Sequence, residues 1–239
     1  SYSSPAVGTV GGKRQILIVN QDFVTGHDAA NGKVLWRYPW AGNSGSNASV
    51  SQARIVGDDL VFVSKGYGIG SALFKVTADA LQQAESTGEP FRPETEWKKN
   101  VLKTKHSNVS IRNGFVYGLD EEILQCAELA TGESQWKKGR FGGGQILMVD
   151  DLLLVQSEKT GEIVLIQCDP DAYKELGRFQ ALEGEPCWNP MALSGDLLLV
   201  RNNAEAACYR LSLKSKLTAP VAAGAEATPE NSPTASPPE

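Results

Sequence analysis

The sequence lacks several features on which common protein functions depend. Only two of its 239 residues are histidines and its four cysteines form no Cys-X-X-Cys pair, so a zinc site is not expected. No apolar run approaches the ~20 residues of a membrane-spanning helix, so we predict no membrane span. Its 28 acidic residues outnumber its 23 basic ones, and a net charge of -5 argues against binding to nucleic acid.

The beginning of the chain also lacks familiar features. It has no methionine at its start and no charged and then apolar leader of the kind found in signal peptides. Residues 1–5 look like the inside of a domain rather than its start. We therefore expect a fragment or a processed chain.

Five short apolar runs recur along the chain at intervals of 37 to 55 residues. Each has three or four residues and follows a turn signal such as Asn113-Gly114. The runs are 16–19, 60–63, 115–117, 152–155 and 197–200. A repeat of roughly 40–45 residues with several short strands is typical of propeller blades.

The order of strands within each unit also repeats. A strand that begins polar precedes each apolar run, a third strand follows it, and a glycine turn leads to a fourth strand. Four antiparallel strands in about 40 residues make one blade. The sequence therefore predicts an all-β propeller with five visible blades, the last without its fourth strand.

The turn before the fourth strand has a specific frame, seen in full at 26–36 and 126–136. The frame is a small residue, any residue, an acid, two residues, Thr or Asn, Gly, three residues and Trp. It predicts docking positions at Gly32, Trp36, Gly132 and Trp136, with the indoles largely buried between blades. Blade two reaches its Trp97 through the longer segment 77–96. Blade four replaces the frame with 169–173 and Phe179.

This frame resembles the tryptophan-docking repeat of the pyrroloquinoline-quinone-like (PQQ-like) propeller family, which includes quinoprotein alcohol dehydrogenases and the outer-membrane assembly lipoprotein BamB. The resemblance covers about residues 1–213. Members of the family are usually eight-bladed and exported. The resemblance thus implies the C-terminal part of a larger propeller, located in the periplasm or elsewhere in the cell envelope. Residues 214–239 are rich in Ala, Pro, Glu, Ser and Thr, and we expect them to form a disordered tail.

Polar and aromatic residues precede or begin the innermost strands of several blades. In a propeller these strands line the central channel, so such residues would surround its mouth. They could hold a ligand or a peptide, or simply bond to strand ends and ordered water. The candidates for binding are His106, Asn108, Gln145, Trp188 and Asn189.

Three functions follow from these observations. The first is a non-enzymatic binding scaffold of the bacterial cell envelope, which engages a protein or small ligand at the channel mouth. The second is a PQQ-dependent dehydrogenase whose catalytic residues lie in missing N-terminal blades. The third is a structural module tethered by its tail. The resemblance implies PQQ with calcium as cofactors only for the second, and the Cys-Cys pair usual in those enzymes does not occur here.

The four cysteines are spread over different repeats. Cys126, Cys168 and approximately Cys208 fall on the third strands of successive blades, and Cys187 precedes the last blade. Equivalent points on adjacent blades lie beyond the ~7 Å Cα separation that a disulfide allows. We therefore predict four free thiols that act as small buried packing groups.

Overall fold

A computed structural model of the chain describes residues 1–42, 48–184 and 186–211. These residues form nineteen strands and one helix. The strands pair into five antiparallel sheets, and within each sheet they lie side by side in chain order. The five sheets are the blades that the repeats predict, and the all-β assignment is confirmed.

The first two sheets hold eight strands and precede residue 100. The first contains β1 (Ala6–Val10), β2 (Lys13–Val19), β3 (Phe23–Asp28) and β4 (Val34–Pro39). The second contains β5 (Arg54–Val56), β6 (Leu60–Lys65), β7 (Gly70–Lys75) and β8 (Glu94–Lys99), with helix α1 (Ala78–Thr87) between its last two strands.

The remaining three sheets follow the same order. The third contains β9 (Ser110–Arg112), β10 (Phe115–Asp120), β11 (Ile123–Glu128) and β12 (Ser134–Arg140). The fourth contains β13 (Gln145–Val149), β14 (Leu152–Gln156), β15 (Glu162–Gln167) and β16 (Lys174–Gln180). The fifth contains β17 (Ala192–Ser194), β18 (Leu197–Arg201) and β19 (Ala206–Arg210). Each predicted apolar run is the second strand of its own sheet.

The single helix lies where the other four-stranded sheets have a short turn. Thr77 caps its N-terminus by accepting a hydrogen bond from the backbone of Ala80, and Gly88 ends it in the left-handed conformation at φ 81°. Leu81 and Ala84 are its buried residues. The helix explains the long segment before Trp97, which the sequence analysis left without secondary structure.

The hydrophobic core lies between sheets. Four clusters of buried side chains join the first sheet to the second, the second to the third, the third to the fourth and the fourth to the fifth. Because side chains alternate along a strand, each central strand supplies residues to both neighbouring clusters. In the described part of the chain the sheets do not close into a ring, as expected of part of a propeller.

The outer face of the fifth sheet exposes an apolar side chain whose equivalents are buried in the other sheets. Leu199 is 51% exposed. Its register equivalents in the other four sheets are buried against the next sheet: Leu17, Phe62, Tyr117 and Leu154. The fifth sheet has three strands within the described residues, and the predicted tail at 214–239 lies outside them.

All four cysteines are free thiols, as predicted, but only two are buried. Cys126 and Cys187 are buried, Cys168 is half-buried and Cys208 is exposed. Burial raises the pKa of Cys126 to about 12 and that of Cys168 to about 11. The expectation that all four are buried is therefore wrong. Cys208 lies on the uncovered face of the fifth sheet, and Cys168 lies just after β15 rather than on it.

Candidate functional site

The candidate site lies at the end of the strands where two kinds of connection meet: the hairpins within sheets and the links between sheets. In an antiparallel sheet of four strands, the hairpin between the second and third strands lies at the same end of the strands as the link to the next sheet. In a row of such sheets, these hairpins and links therefore share one face. His106 lies on the link from β8 to β9, and Trp188 on the link from β16 to β17. The first strands of the first and second sheets contact each other, as do those of the third and fourth, so the first strands are the innermost ones.

His106 and Trp188 form a stacked pair, although 82 residues separate them. Their ring centroids are 4.8 Å apart and their planes differ by 7°. Trp188 is nevertheless 47% exposed. An indole held by stacking on one face and open to solvent elsewhere is a surface on which an apolar or planar group can bind.

Glu158 completes this group, which we call the Trp188 cluster: His106, Glu158 and Trp188. The indole Nε1 of Trp188 donates to Oε1 of Glu158 at 2.5 Å, and the backbone N–H of Gly143 donates to Oε2 at 2.6 Å. Sequence analysis missed Glu158. Its position in the β14–β15 hairpin, on the same face as the predicted residues, was the available signal.

Gly143 allows the backbone to approach this closely. A Cβ atom at Gly143 would lie 2.7 Å from Cδ2 of His106, closer than real Cβ contacts allow. The glycine run 142–144 therefore lets the link before β13 pass beneath the imidazole ring while it donates to Glu158.

Gln145 connects the link from β8 to β9 with the link from β16 to β17 by hydrogen bonds. Its side-chain Nε2 donates to the backbone carbonyls of His106 at 2.8 Å and Trp188 at 2.9 Å. Gln145 is buried, so it positions the cluster from within instead of facing solvent.

The electrostatics of the cluster favour a neutral imidazole. Burial lowers the pKa of His106 below its usual value, and the nearby charge of Lys105 lowers it further, while Glu158 acts in the opposite direction. A lowered pKa favours the neutral form of the ring that stacks on Trp188 at pH 7.

The other two predicted binding residues are placed differently. Asn108 accepts a hydrogen bond from the backbone N–H of Gln52 at 2.8 Å through its Oδ1, so it joins the first-strand segments of the second and third sheets. Asn189 follows Trp188 and is half-buried. The structure thus brings His106, Gln145 and Trp188 together and leaves Asn108 apart. Their role in binding a ligand stays a prediction.

The predicted docking residues lie at the outer part of each sheet. Trp36 is fully buried and donates from Nε1 to Oε1 of Gln15 at 2.7 Å. A Cβ atom at Gly26 would lie 2.1 Å from the Trp36 ring, so this position has to be glycine. Gly32 has φ 78° and supplies the left-handed turn before β4 without touching the ring.

Trp97 and Trp136 reach across to the following sheet. Trp97 is 9% exposed, donates to the carbonyl of Leu129 at 3.0 Å and lies against Gly132. Trp136 donates to the carbonyl of Asp169 at 2.8 Å but is only half-buried, so the prediction that it is largely buried is wrong. Trp136 contacts Tyr173 edge-on. At the equivalent place, Trp97 contacts the compact glycine turn of the third sheet.

The fourth sheet has no indole at this position. In the first three sheets the docking tryptophan pairs with the third-strand residue just before a β-bulge: Gly26 with Trp36, Leu73 with Trp97 and Cys126 with Trp136. In the fourth sheet the same pairing joins Leu165 to Gly177. The expectation that Phe179 replaces the tryptophan is therefore wrong, because Phe179 takes the position of Tyr38.

Neither metal nor membrane elements are found in the described residues. No group of three or more His, Cys, Asp and Glu side chains in these ranges is placed to hold a metal ion. Among the same residues, no helix has the length and apolar character needed to cross a membrane.

Together these features define a repeat protein of the PQQ-like β-propeller class. The family model described as "Outer membrane protein assembly factor BamB" matches residues 1–138, more than half of the chain. The chain belongs to this family. No curated protein matches the sequence.

Solved structures agree on the fold. BamB from Moraxella catarrhalis is 13% identical with a TM-score of 0.57, and the match covers 87% of this chain and 62% of BamB. A functionally unknown protein from Desulfotomaculum acetoxidans is 13% identical over 89% of this chain and 70% of its own, with a TM-score of 0.59. The designed protein Ika8 is 7% identical over 88% and 70%, with a TM-score of 0.54. The chain thus spans less than two thirds of the length of that BamB.

Proposed function

We propose that this chain is a non-enzymatic binding scaffold of the bacterial cell envelope, which engages a protein or a small ligand at the Trp188 cluster. The family supports a propeller scaffold, and the envelope location is inferred from the description of its family model. The observation that carries the proposal is the half-exposed Trp188, held in place before any ligand arrives.

The contacts of Trp188 explain why it suits a binding role. Its ring stacks on His106, its Nε1 donates to Glu158, and its backbone carbonyl accepts from Gln145. A side chain already fixed in one orientation loses little conformational entropy when a partner binds. Tryptophan is also among the residues that contribute most to binding free energy at protein interfaces.

The same contacts favour binding over catalysis at this cluster. Both oxygens of Glu158 accept hydrogen bonds, from Trp188 and from Gly143. His106 is kept neutral and is stacked on a ring, without a nucleophile among its described contacts. The polar groups of the cluster therefore position the indole instead of acting on a substrate.

The PQQ-dependent dehydrogenase remains the alternative, and its cofactor does not fit these residues. Calcium needs several free oxygen ligands, but both oxygens of the carboxylate next to Trp188 are already engaged. The open face of Trp188 offers a surface for a planar quinone, but Glu158 beside it offers no free oxygen to the calcium that accompanies PQQ. We therefore derive no reaction step for this chain.

Site-specific photocrosslinking in bacterial cells tests the proposal. A photoreactive phenylalanine analogue replaces Asn189, next to the half-exposed indole, and a matched control carries it at Glu85 on the surface of α1. We expect a discrete crosslinked species from position 189 that is recovered with the envelope fraction. The same species should disappear when Trp188→Ala is added.

Two results would overturn the proposal. One is equal crosslinking from positions 189 and 85, which would show that the Trp188 cluster is not a preferred contact surface. The other is recovery of the protein and its adducts in the cytoplasmic fraction, which would contradict the envelope role.

A further inference from the structure

A second candidate site lies at the outer part of the interface between the fourth and fifth sheets. Gly177 occupies the register position at which the first three sheets carry a docking indole. A Cβ atom at Gly177 would have no heavy atom within 4 Å, so the space beside it is open. Phe179, the aromatic residue of β16, pairs with Ile163 and does not lie at this register position.

An apolar cavity of about 340 Å³ lies at this place. Gly177 and Phe179 line it, together with aliphatic side chains from both sheets: Leu152, Leu154, Ile163, Leu165, Leu193 and Leu211. For comparison, an engineered apolar cavity of about 150 Å³ is sufficient to bind benzene. The cavity therefore has room for a bicyclic ring.

The repeat also indicates where a ring N–H would bond. Trp97 donates to the carbonyl of Leu129, whose own backbone N–H donates to Gly114. Leu211 occupies the same register position in the fifth sheet, since its N–H donates to the carbonyl of Asp196. Leu211 lines the cavity, so its carbonyl corresponds to the acceptor that Trp97 uses between the second and third sheets.

We propose that this cavity binds a free planar heteroaromatic molecule of indole size. The ligand would take the place of the tryptophan that the fourth sheet lacks, with its ring between the aliphatic walls and its N–H directed to Leu211. Because no residue of the Trp188 cluster lines the cavity, this site is independent of the proposed function.

Indole itself is the probe for the test. The full chain is titrated with indole by calorimetry, and methyl NMR spectra follow its leucine and isoleucine residues. We expect saturable binding with a dissociation constant of about 1 mM or tighter for a ligand of this size. The largest methyl shifts should come from Leu154, Ile163 and Leu165.

Variants at the cavity connect this binding to the missing ring. Gly177→Trp supplies the indole from the chain itself and should weaken indole binding at least tenfold. Gly177→Ala adds one methyl group and should change it less than threefold. Leu176→Trp adds an indole at the adjacent exposed position and should also change it less than threefold. Should Gly177→Trp not fold, Leu165→Phe narrows the cavity from the neighbouring strand of the same sheet and should weaken binding likewise.

Three results would overturn the proposal. The first is an absence of saturable binding, and the second is unchanged binding in folded Gly177→Trp. The third is binding that develops only in a Leu213→Ser, Leu217→Ser double variant, which would mean that the chain's own residues occupy the cavity.

Discussion

The interface between the first and second sheets and that between the fourth and fifth share one strand pattern but differ at their outer part. Trp36 fills the first interface, over Gly26 and edge-on to Phe74. The fourth sheet carries Gly177 at the same position, beside a cavity. Yet Leu198 and Val200 of the fifth sheet are as buried as Val61 and Val63 of the second.

This difference shows that the central strands and the docking residue contribute to an interface in different ways. Alternating aliphatic residues on the central strands are enough to bury one sheet against the next. The docking residue adds a large apolar surface and a hydrogen bond at the outer part. It therefore determines how tightly neighbouring sheets are joined, and its loss leaves a space rather than a different fold. The family model ends at residue 138, just after the last docking indole at Trp136.

The largest expected effect comes from removing the best-buried ring. Trp36→Ala deletes a fully buried indole and leaves Gln15 without its donor. We expect a loss of about 3–5 kcal/mol in the free energy of unfolding, as for other buried aromatic residues. Urea denaturation measures this loss. A change below about 1 kcal/mol would show that the first interface does not depend on its indole.

A smaller effect should follow from adding one methyl group beneath that ring. Gly26→Ala places a Cβ 2.1 Å from the Trp36 ring and should cost about 1–3 kcal/mol by overpacking. The matched control is Gly177→Ala, where the new methyl group meets open space. Thermal unfolding of the two variants compares the filled and the open interface. Equal melting temperatures would contradict the difference between them.

The polar contacts at the interfaces differ as well. At the end of β10, Asp120 accepts from the backbone N–H of Lys103 at 2.8 Å and from the side chain of Lys137. Its register equivalent in the fifth sheet is Asn202, a neutral amide that donates to the carbonyl of Glu183 at 2.7 Å. Burial would raise the pKa of Asp120, but the bonds from Lys137 and Lys103 hold it below its usual value.

Asp120→Asn gives the third sheet the neutral group of the fifth. We expect it to lower the free energy of unfolding at pH 7 by about 1–2 kcal/mol, because a hydrogen-bonded charge is lost. A lowered folded-state pKa stabilises the protein above the unfolded value near 3.9, and this contribution disappears as the pH falls. Wild type and variant should therefore converge only as the pH falls through the lowered folded-state pKa of Asp120. A difference that stays constant with pH would contradict this origin.

The smallest effect is expected at the Trp188 cluster. Trp188→Ala removes a half-exposed ring and should change the free energy of unfolding by less than about 1 kcal/mol. Crosslinking at position 189 should nevertheless be lost. Strong destabilisation by this substitution would assign Trp188 to the group of structural indoles.

Much of the fold could be predicted because its signal is local. The apolar runs and turn residues determine the second strands, and their spacing determines the sheets. The docking frame identified Trp36 and Trp136 because acid, glycine and tryptophan are close in sequence. Helix α1 was missed although Thr77 and Gly88 are ordinary cap residues, since the repeat left no place for a helix.

The features that could not be predicted depend on register between strands. Phe179 is the aromatic residue of β16, so the sequence suggests it as the docking residue. The bulge after Leu165, however, makes Gly177 the cross-strand partner of Leu165. Glu158 and Trp188 are 30 residues apart and meet only because links and hairpins share a face. Cys208 is exposed because the described residues contain no further sheet beside the fifth, and no local pattern in the sequence indicates this.

The central claim, that the indoles join neighbouring sheets, is tested most directly by the free energies of unfolding of four tryptophan variants. Urea denaturation of Trp36→Ala, Trp97→Ala, Trp136→Ala and Trp188→Ala compares four indoles whose burial decreases in that order. If the indoles join the sheets in proportion to their buried surface, the loss of stability should decrease in the same order. Equal losses, or a greater loss at Trp188 than at Trp36, would contradict the account.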